Sequence, residues 1–194
     1  MLNAMESFLW RYIRGAGLAY GASIRNDPEA QHIHFILYRA PDAAKAFVEG
    51  ARVIHALATG TELDGAVLQI DETMLESAKS SLHFNVADSE GTVGAAALES
   101  FIDARIKCTG RGRGHRLLVQ ANAVTLADVQ RCLRTYILPI FEPATSVCAV
   151  ASSPTTANAI CVALEKAGYE MEETEMPVGA SDDEDNDSGS TTVE

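Results

Sequence analysis

The chain has 194 residues, with 15 Lys and Arg against 27 Asp and Glu, a net charge of −12 and a hydrophobic share of 47%. A chain of this length is one domain, or one large domain with a tail, and buries roughly 70% of the surface its unfolded state exposes, so it needs neither disulfide nor metal for stability. The acidic balance argues against broad nucleic-acid binding, and no run reaches the roughly 18–20 apolar residues that a membrane span requires.

The charge is unevenly placed. Asp182, Asp183, Glu184, Asp185, Asp187 and Glu194 supply six of the twelve excess negative charges, and no base stands among them. A Ser/Asp/Glu/Gly segment of this kind cannot bury enough apolar surface to offset its ordering entropy. Residues 179–194 therefore read as a disordered acidic tail behind a folded body at 1–178. Cys108, Cys132, Cys148 and Cys161 show no C-x-x-C pairing and read as buried thiols in a reducing compartment. Glu6 interrupts the N-terminal apolar stretch and no cleavage site follows. A cytoplasmic location is the default expectation, with a mitochondrial one open for the full-length protein.

Leu2 to Ile13 predicts the end of a helix with Met5, Phe8, Leu9 and Tyr12 on one face, starting without a cap, as though the chain is entered partway through an element. A strand is predicted at 18–24, a turn at Arg25 to Ala30 around Pro28, and a second strand at 32–39, which together make a hairpin. Pro41 and Asp42 open a helix with Phe47, Ala51, Ile54 and Ala58 inward and Gly60 at its end. Further helices are expected at 71–85 and at 92–107, the latter carrying Val93, Ala97, Phe101 and Ile102 inward. The loop Gly110 to His115 precedes a short apolar stretch at 117–119. Thr125 caps the next helix, with Asp128 in a capping-box position and Leu126, Val129, Leu133 and Ile137 along its face, ending before Pro139. A buried strand at 146–151, a helix at 154–168 with Ala159, Val162 and Ala163 inward and Gly168 as its stop, and a strand at 169–176 complete the chain. The order β-β-α-α-α-α-β-α-β predicts an α+β fold, a two-layer sandwich of mainly antiparallel sheet with helices on one face.

The stretch Tyr12-Ile-Arg-Gly-Ala-Gly-Leu-Ala-Tyr-Gly21 concentrates the chemistry. Arg14 and Tyr20 bracket a glycine-rich junction, where Gly15 and Gly17 permit positive φ and close backbone approach. A five-donor guanidinium and a phenolic hydroxyl suit a clamp on a carbonyl or oxyanion. The same residues also read as a helix C-terminal cation and a sheet tyrosine. His32 and His34 share one strand face, but a metal site needs further ligands, and His55, His83 and His115 are scattered. Arg111, Arg113, His115 and Arg116 lie among glycines without the G-x-x-x-x-G-K-[ST] layout of a phosphate cradle, and no aromatic platform stands beside them for RNA. They read as an exposed connection, with contact to an acidic peptide or to the acidic tail as the alternative. No G-x-S-x-G, H-x-x-E-H or H-E-x-x-H occurs.

The order of elements, with R-G-A-G-L-A-Y-G at 14–21 and A-V-T-L-A-D-V-Q-R-C-L-R-T-Y-I-L-P-I-F at 123–141, resembles the C-terminal domain of the pitrilysin/insulinase superfamily of inverted-zincin metallopeptidases, nearest its presequence-protease-like branch. The resemblance covers about residues 1–176. It implies a half-clamshell domain whose Arg14 and Tyr20 hold the scissile carbonyl and stabilise the oxyanion, with Gly15, Gly17 and Gly21 shaping the turn that aims them. It implies zinc and an H-x-x-E-H base in an N-terminal catalytic half, the partner of this segment, and a peptide as substrate. Those ligands and that base are absent here, so the chain is expected to hold no metal and to be catalytically silent alone. A non-catalytic protein-interaction module on the same fold is the alternative. Neither nucleic acid nor membrane is expected as a partner.

Overall fold

The structure, a computed structural model, describes residue 2 and residues 7–174; Met5, the acidic tail and the end of the expected last strand lie outside the described residues. The elements run β1 (Gly21–Asp27), β2 (His32–Tyr38), α1 (Ala43–Thr59), β3 (Glu62–Leu63), β4 (Ala66–Val67), α2 (Glu72–Ser89), α3 (Val93–Phe101), α4 (Arg113–Asn122), α5 (Leu126–Cys132) and α6 (Pro154–Lys166). Single π turns occur at Trp10–Arg14, Ile102–Ile106 and Leu133–Ile137, and a 3₁₀ turn at Leu138–Phe141. The fold is α+β, mixing helices with two small antiparallel sheets, β1–β2 and β3–β4. No helix among the described residues is long and apolar enough to cross a membrane.

The caps explain where the helices start and stop. The Asp42 carboxylate accepts the Lys45 amide at 3.0 Å and that of Asp71 accepts the Met74 amide at 2.8 Å, each satisfying a donor the helix leaves free. Pro41 therefore precedes the cap of α1 and does not sit in its first turn. Thr92 caps α3, and Thr125 with Asp128 forms the expected capping box on α5. Behind α6, the Gly168 amide reaches the Glu165 carbonyl and the Tyr169 amide reaches that of Leu164, the paired bonds of a Schellman stop.

The core gathers on α1. Ala46, Val53, Ile54, Ala56, Leu57 and Ala58 are buried there, and Phe8, Leu9, Ile13, Ala19, Leu63, Leu68, Ile70, Leu133 and Ile137 pack into the same cluster. The hairpin lays its inner face, Ala22, Ile24, Ile33, Phe35 and Leu37, against that cluster. Close approach is possible because α1 carries Gly50 under Phe35, where an added Cβ would stand 2.7 Å from the ring. Phe35, Phe47 and Phe141 meet at centroid spacings of 4.9–6.4 Å, and Tyr169 lies 5.9 Å from Phe47, so aromatic contacts tie β2, α1, the 3₁₀ turn and the segment after α6 together.

Several expectations are corrected. The first strand begins at Gly21 and runs through Arg25, Asn26 and Asp27, because these pair across to His34, Ile33 and His32; pairing overrides the local turn composition, and the turn starts only at Pro28. The N-terminal helix closes on a π turn; Phe8 and Leu9 are buried and Tyr12 packs half-buried against the core as expected, with Ile13 buried beside them. Leu117–Val119 belongs to α4, as do Arg113, Gly114, His115 and Arg116. Val93 is 89% exposed, Phe101 is exposed, and α3 carries no buried residue, since nothing among the described residues covers its apolar side. Residues 146–151 form no strand, and Val147 is 97% exposed. The segment 169–174 is likewise without a strand. A strand needs a paired edge, and neither segment is hydrogen-bonded along one. Tyr169 is nevertheless buried, and its hydroxyl meets the Ser146 hydroxyl at 2.8 Å. On α6 the buried residue is Leu164, while Val162 faces solvent. Of the four cysteines, Cys108 and Cys132 are exposed and Cys148 and Cys161 half-buried, so none is a core thiol.

Candidate functional site

Arg14 and Tyr20 do come together. Each follows a buried residue, Ile13 and Ala19, and these two anchors turn the next side chains outward. The π turn ends as the Gly15 amide reaches the Trp10 carbonyl at 2.8 Å, and the Leu18 amide then reaches the Ile13 carbonyl at 2.9 Å. Gly15 and Gly17 divide the work of the turn. Gly15 has an ordinary helical backbone but lies so close to the preceding turn that a Cβ would stand 2.5 Å from the Arg11 carbonyl oxygen. Gly17 takes φ +73°, which L side chains rarely adopt. Gly21 is the first residue of β1, opposite Tyr38, and a Cβ there would make an ordinary 3.7 Å contact.

The Arg14 guanidinium lies 4.7 Å from the Tyr20 ring centroid and 5.9 Å from that of Trp10, a cation–π arrangement that keeps it extended. Tyr20 is 58% exposed, and its amide donates to the Arg39 carbonyl at 3.1 Å, so the hairpin holds its backbone. Arg14 has no ion-pair partner among the described residues, and the Tyr20 hydroxyl has no hydrogen-bond partner there. Both keep their polar atoms available for a carbonyl or an anion.

Two residues beside them were not singled out from the sequence. Tyr38 meets Tyr20 edge-on at 6.4 Å, and the Arg39 guanidinium stands 5.2 Å over the Tyr38 ring. Their signal is the hairpin register, which brings 38 and 39 beside 20 and 21 although they are distant in sequence. The outer face of the hairpin continues from Tyr38 through Ile36 to His34 and His32, which meet edge-on at 5.9 Å. No group of three His, Cys, Asp or Glu that could hold a metal ion exists among the described residues.

The arginine segment is better ordered than a loose connection. The Arg116 guanidinium donates to the carbonyls of Thr109 (2.6 Å), Arg111 (2.5 Å) and Gly110 (3.3 Å), folding the loop onto α4. Arg113 lies 4.0 Å from Asp103, a buried carboxylate whose Oδ1 accepts no hydrogen bond from the described residues. Between α2 and α4 a shallow open groove of about 550 Å³ is lined by His83, Phe84, Val86, Ala87, Glu90, His115 and Leu118.

No family model matches the sequence, and no solved structure matches it. The chain is similar to an uncharacterized protein of Saccharomyces cerevisiae, 28% identical over 184 residues, covering 95% of this chain and 17% of that protein. It is similar to an uncharacterized protein of Schizosaccharomyces pombe, 28% identical over 152 residues, 78% of this chain and 14% of that protein. A third, an uncharacterized protein of Caenorhabditis elegans, is 35% identical over 102 residues, 53% of this chain and 10% of that protein. The chain therefore spans less than a fifth of the length of each of these relatives.

Proposed function

We propose that this chain is the C-terminal segment of a peptide-degrading zinc metalloendopeptidase of the pitrilysin/insulinase type, supplying substrate-binding residues and no metal. The observation that carries the reading is the Arg14–Tyr20 pair: a guanidinium seated over a phenol at a glycine-shaped turn, with no acid among the described residues to neutralise it. In that reading the guanidinium and the phenolic hydroxyl donate to the substrate carbonyl and to the negative charge that builds on it. The metal and the base belong to another part of the complete enzyme, the N-terminal half that resembles this domain and closes on it. A half-clamshell sandwich, finer than the α+β mixture described above, belongs to the same proposal. Arg14→Ala in the complete protein should lower peptide turnover by roughly 10²-fold, the usual effect of removing an oxyanion donor. Tyr20→Phe should lower it as well, with metal content unchanged in both. Normal turnover in both variants would refute the role.

A second reading, a non-catalytic protein-interaction module, is favoured by one observation: Val93, Leu98 and Phe101 leave the apolar side of α3 exposed. It requires Val93→Ser with Phe101→Ser to abolish assembly of the complete protein while Arg14→Ala changes nothing.

A further inference from the structure

We infer that Tyr38 and Arg39 extend the Arg14–Tyr20 site into a subsite that reads a carboxylate on the bound peptide; the inference rests on the peptide-binding reading above.

The backbone places Arg39 for this purpose. Leu37 faces the core and Tyr38 faces out, so continued alternation would turn residue 39 inward. Arg39 takes φ +49°, which ends the alternation; its side chain is exposed and stands over the outward Tyr38 ring. A left-handed conformation at a non-glycine residue is uncommon and must be held by its surroundings. Here the Arg39 carbonyl is held by the Tyr20 amide, the same residue that carries the phenol of the site.

The result is a row, Arg14–Tyr20–Tyr38–Arg39, with phenols inside and guanidiniums at both ends. Arg14 and Arg39 have no acidic partner among the described residues, a state they share with Arg11, Arg25, Arg105, Arg111, Arg116, Arg134 and Lys166; what sets the two apart is that each stands over a phenol of the same row. In a chain with net charge −12, two guanidiniums at the ends of one row, neither paired with an acid among the described residues, make a local positive site. Stacking on aromatic rings restrains each guanidinium while leaving its N–H fork free for a planar anion.

The row also sets a ruler. Successive spacings of 4.7, 6.4 and 5.2 Å place the guanidiniums at most about 16 Å apart, the reach of roughly five extended residues at about 3.3 Å each. A peptide whose backbone carbonyl meets Arg14 can therefore bring a carboxylate to Arg39 if that group lies within about five residues. The carboxylate belongs to an acidic side chain or to the free C-terminus.

The test is an NMR titration of the ¹⁵N-labelled chain with three short peptides of one core sequence. One carries a glutamate and an amidated C-terminus, one is neutral with a free C-terminus, and one is neutral and amidated. Against the last, the unmodified chain should bind at least one carboxylate peptide roughly threefold to fivefold more tightly, the range of an exposed ion pair. The glutamate and free-terminus arms identify which carboxylate is read. Arg39→Gln should remove that preference while keeping the affinity for the neutral amide, and Arg39→Lys should retain most of it. Arg14→Gln should weaken all three peptides and leave the preference in place. A preference that survives Arg39→Gln, while Arg14→Gln still weakens binding, overturns the subsite alone. Unchanged affinities in Arg14→Gln overturn the peptide-binding reading, and no shift of the Tyr20 and Arg39 amides with any peptide overturns both.

Discussion

Residues 7–70 and the arm from α2 to α4 each contain a helix of four turns or more and end in opposite states. The π turn, the hairpin and α1 share one core in which Leu9, Ile13, Val53 and Ile54 are fully buried. In the arm, α2 buries Leu75, and neither α3 nor α4 buries any residue. The α3 sequence Val-Gly-Ala-Ala-Ala-Leu-Glu-Ser-Phe carries one charged residue in nine, yet Val93, Leu98 and Phe101 face solvent. Periodicity shows that a helix has a face to bury; it does not supply the surface that buries it. The candidate site lies on the buried side of this contrast, where Arg14 and Tyr20 stand on anchored backbone, so their positions are set by packing and not by their own contacts.

The largest effect that would break the comparison is in the core. Ile54→Ala should cost roughly 2–5 kcal/mol of unfolding free energy in a denaturant titration. Leu98→Ala, a change of similar size on exposed α3, should stay within about 0.5 kcal/mol. Equal costs would show that α3 is packed in solution. Glycines sharpen the contrast by sign. Gly17→Ala meets nothing within 4 Å, but its φ of +73° should make it cost roughly 1–2 kcal/mol through backbone strain. Gly94→Ala, also in open space but within a helix, should stabilise by roughly 0.5–1 kcal/mol. A stabilising Gly17→Ala would show that the turn is not held in its left-handed form.

The smallest effect is with pH, at the helix starts. The Lys45 amide, foremost, and its side chain hold the Asp42 carboxyl below its ordinary 3.8. The Thr125 hydroxyl, foremost, and its amide do the same for Asp128. Both folded-state values are depressed, so their contribution to stability is complete above pH 3.8 and is lost as the pH falls below it. Amide exchange at Lys45 and Thr125, the amides that these two carboxylates accept, should quicken across that window before α1 and α5 unfold. Unchanged protection at those two amides down to full carboxyl protonation would remove the capping role.

The starts of α1, α2, α3, α5 and α6 were the legible part of the sequence, whereas α4 was missed and α2 runs on to Ser89. Asp42, Asp71, Thr92, Thr125, Gly60 and Gly168 act through bonds to residues three to five positions away, so their role is written locally. The segments at 146–151 and 169–174 have strand-like composition, but a strand is a relation to a partner that composition does not name. At the site, the Arg14–Tyr20 turn was visible as a glycine-rich junction between a helix and a strand. Tyr38 and Arg39 were not, because their proximity to Tyr20 exists only once Gly21 is paired with Tyr38.

By itself, then, the sequence determined the helices other than α4, the capping box at Thr125, the glycine turn and the Arg14–Tyr20 pair, all of them consequences of interactions within a few residues. Only the tertiary structure decided which apolar faces became core, that Gly50 admits Phe35, and that two guanidiniums flank two phenols along one edge of the hairpin. Those outcomes depend on contacts between residues far apart in the chain, whose formation follows from the competition of many surfaces for the same burial and not from the character of any one segment.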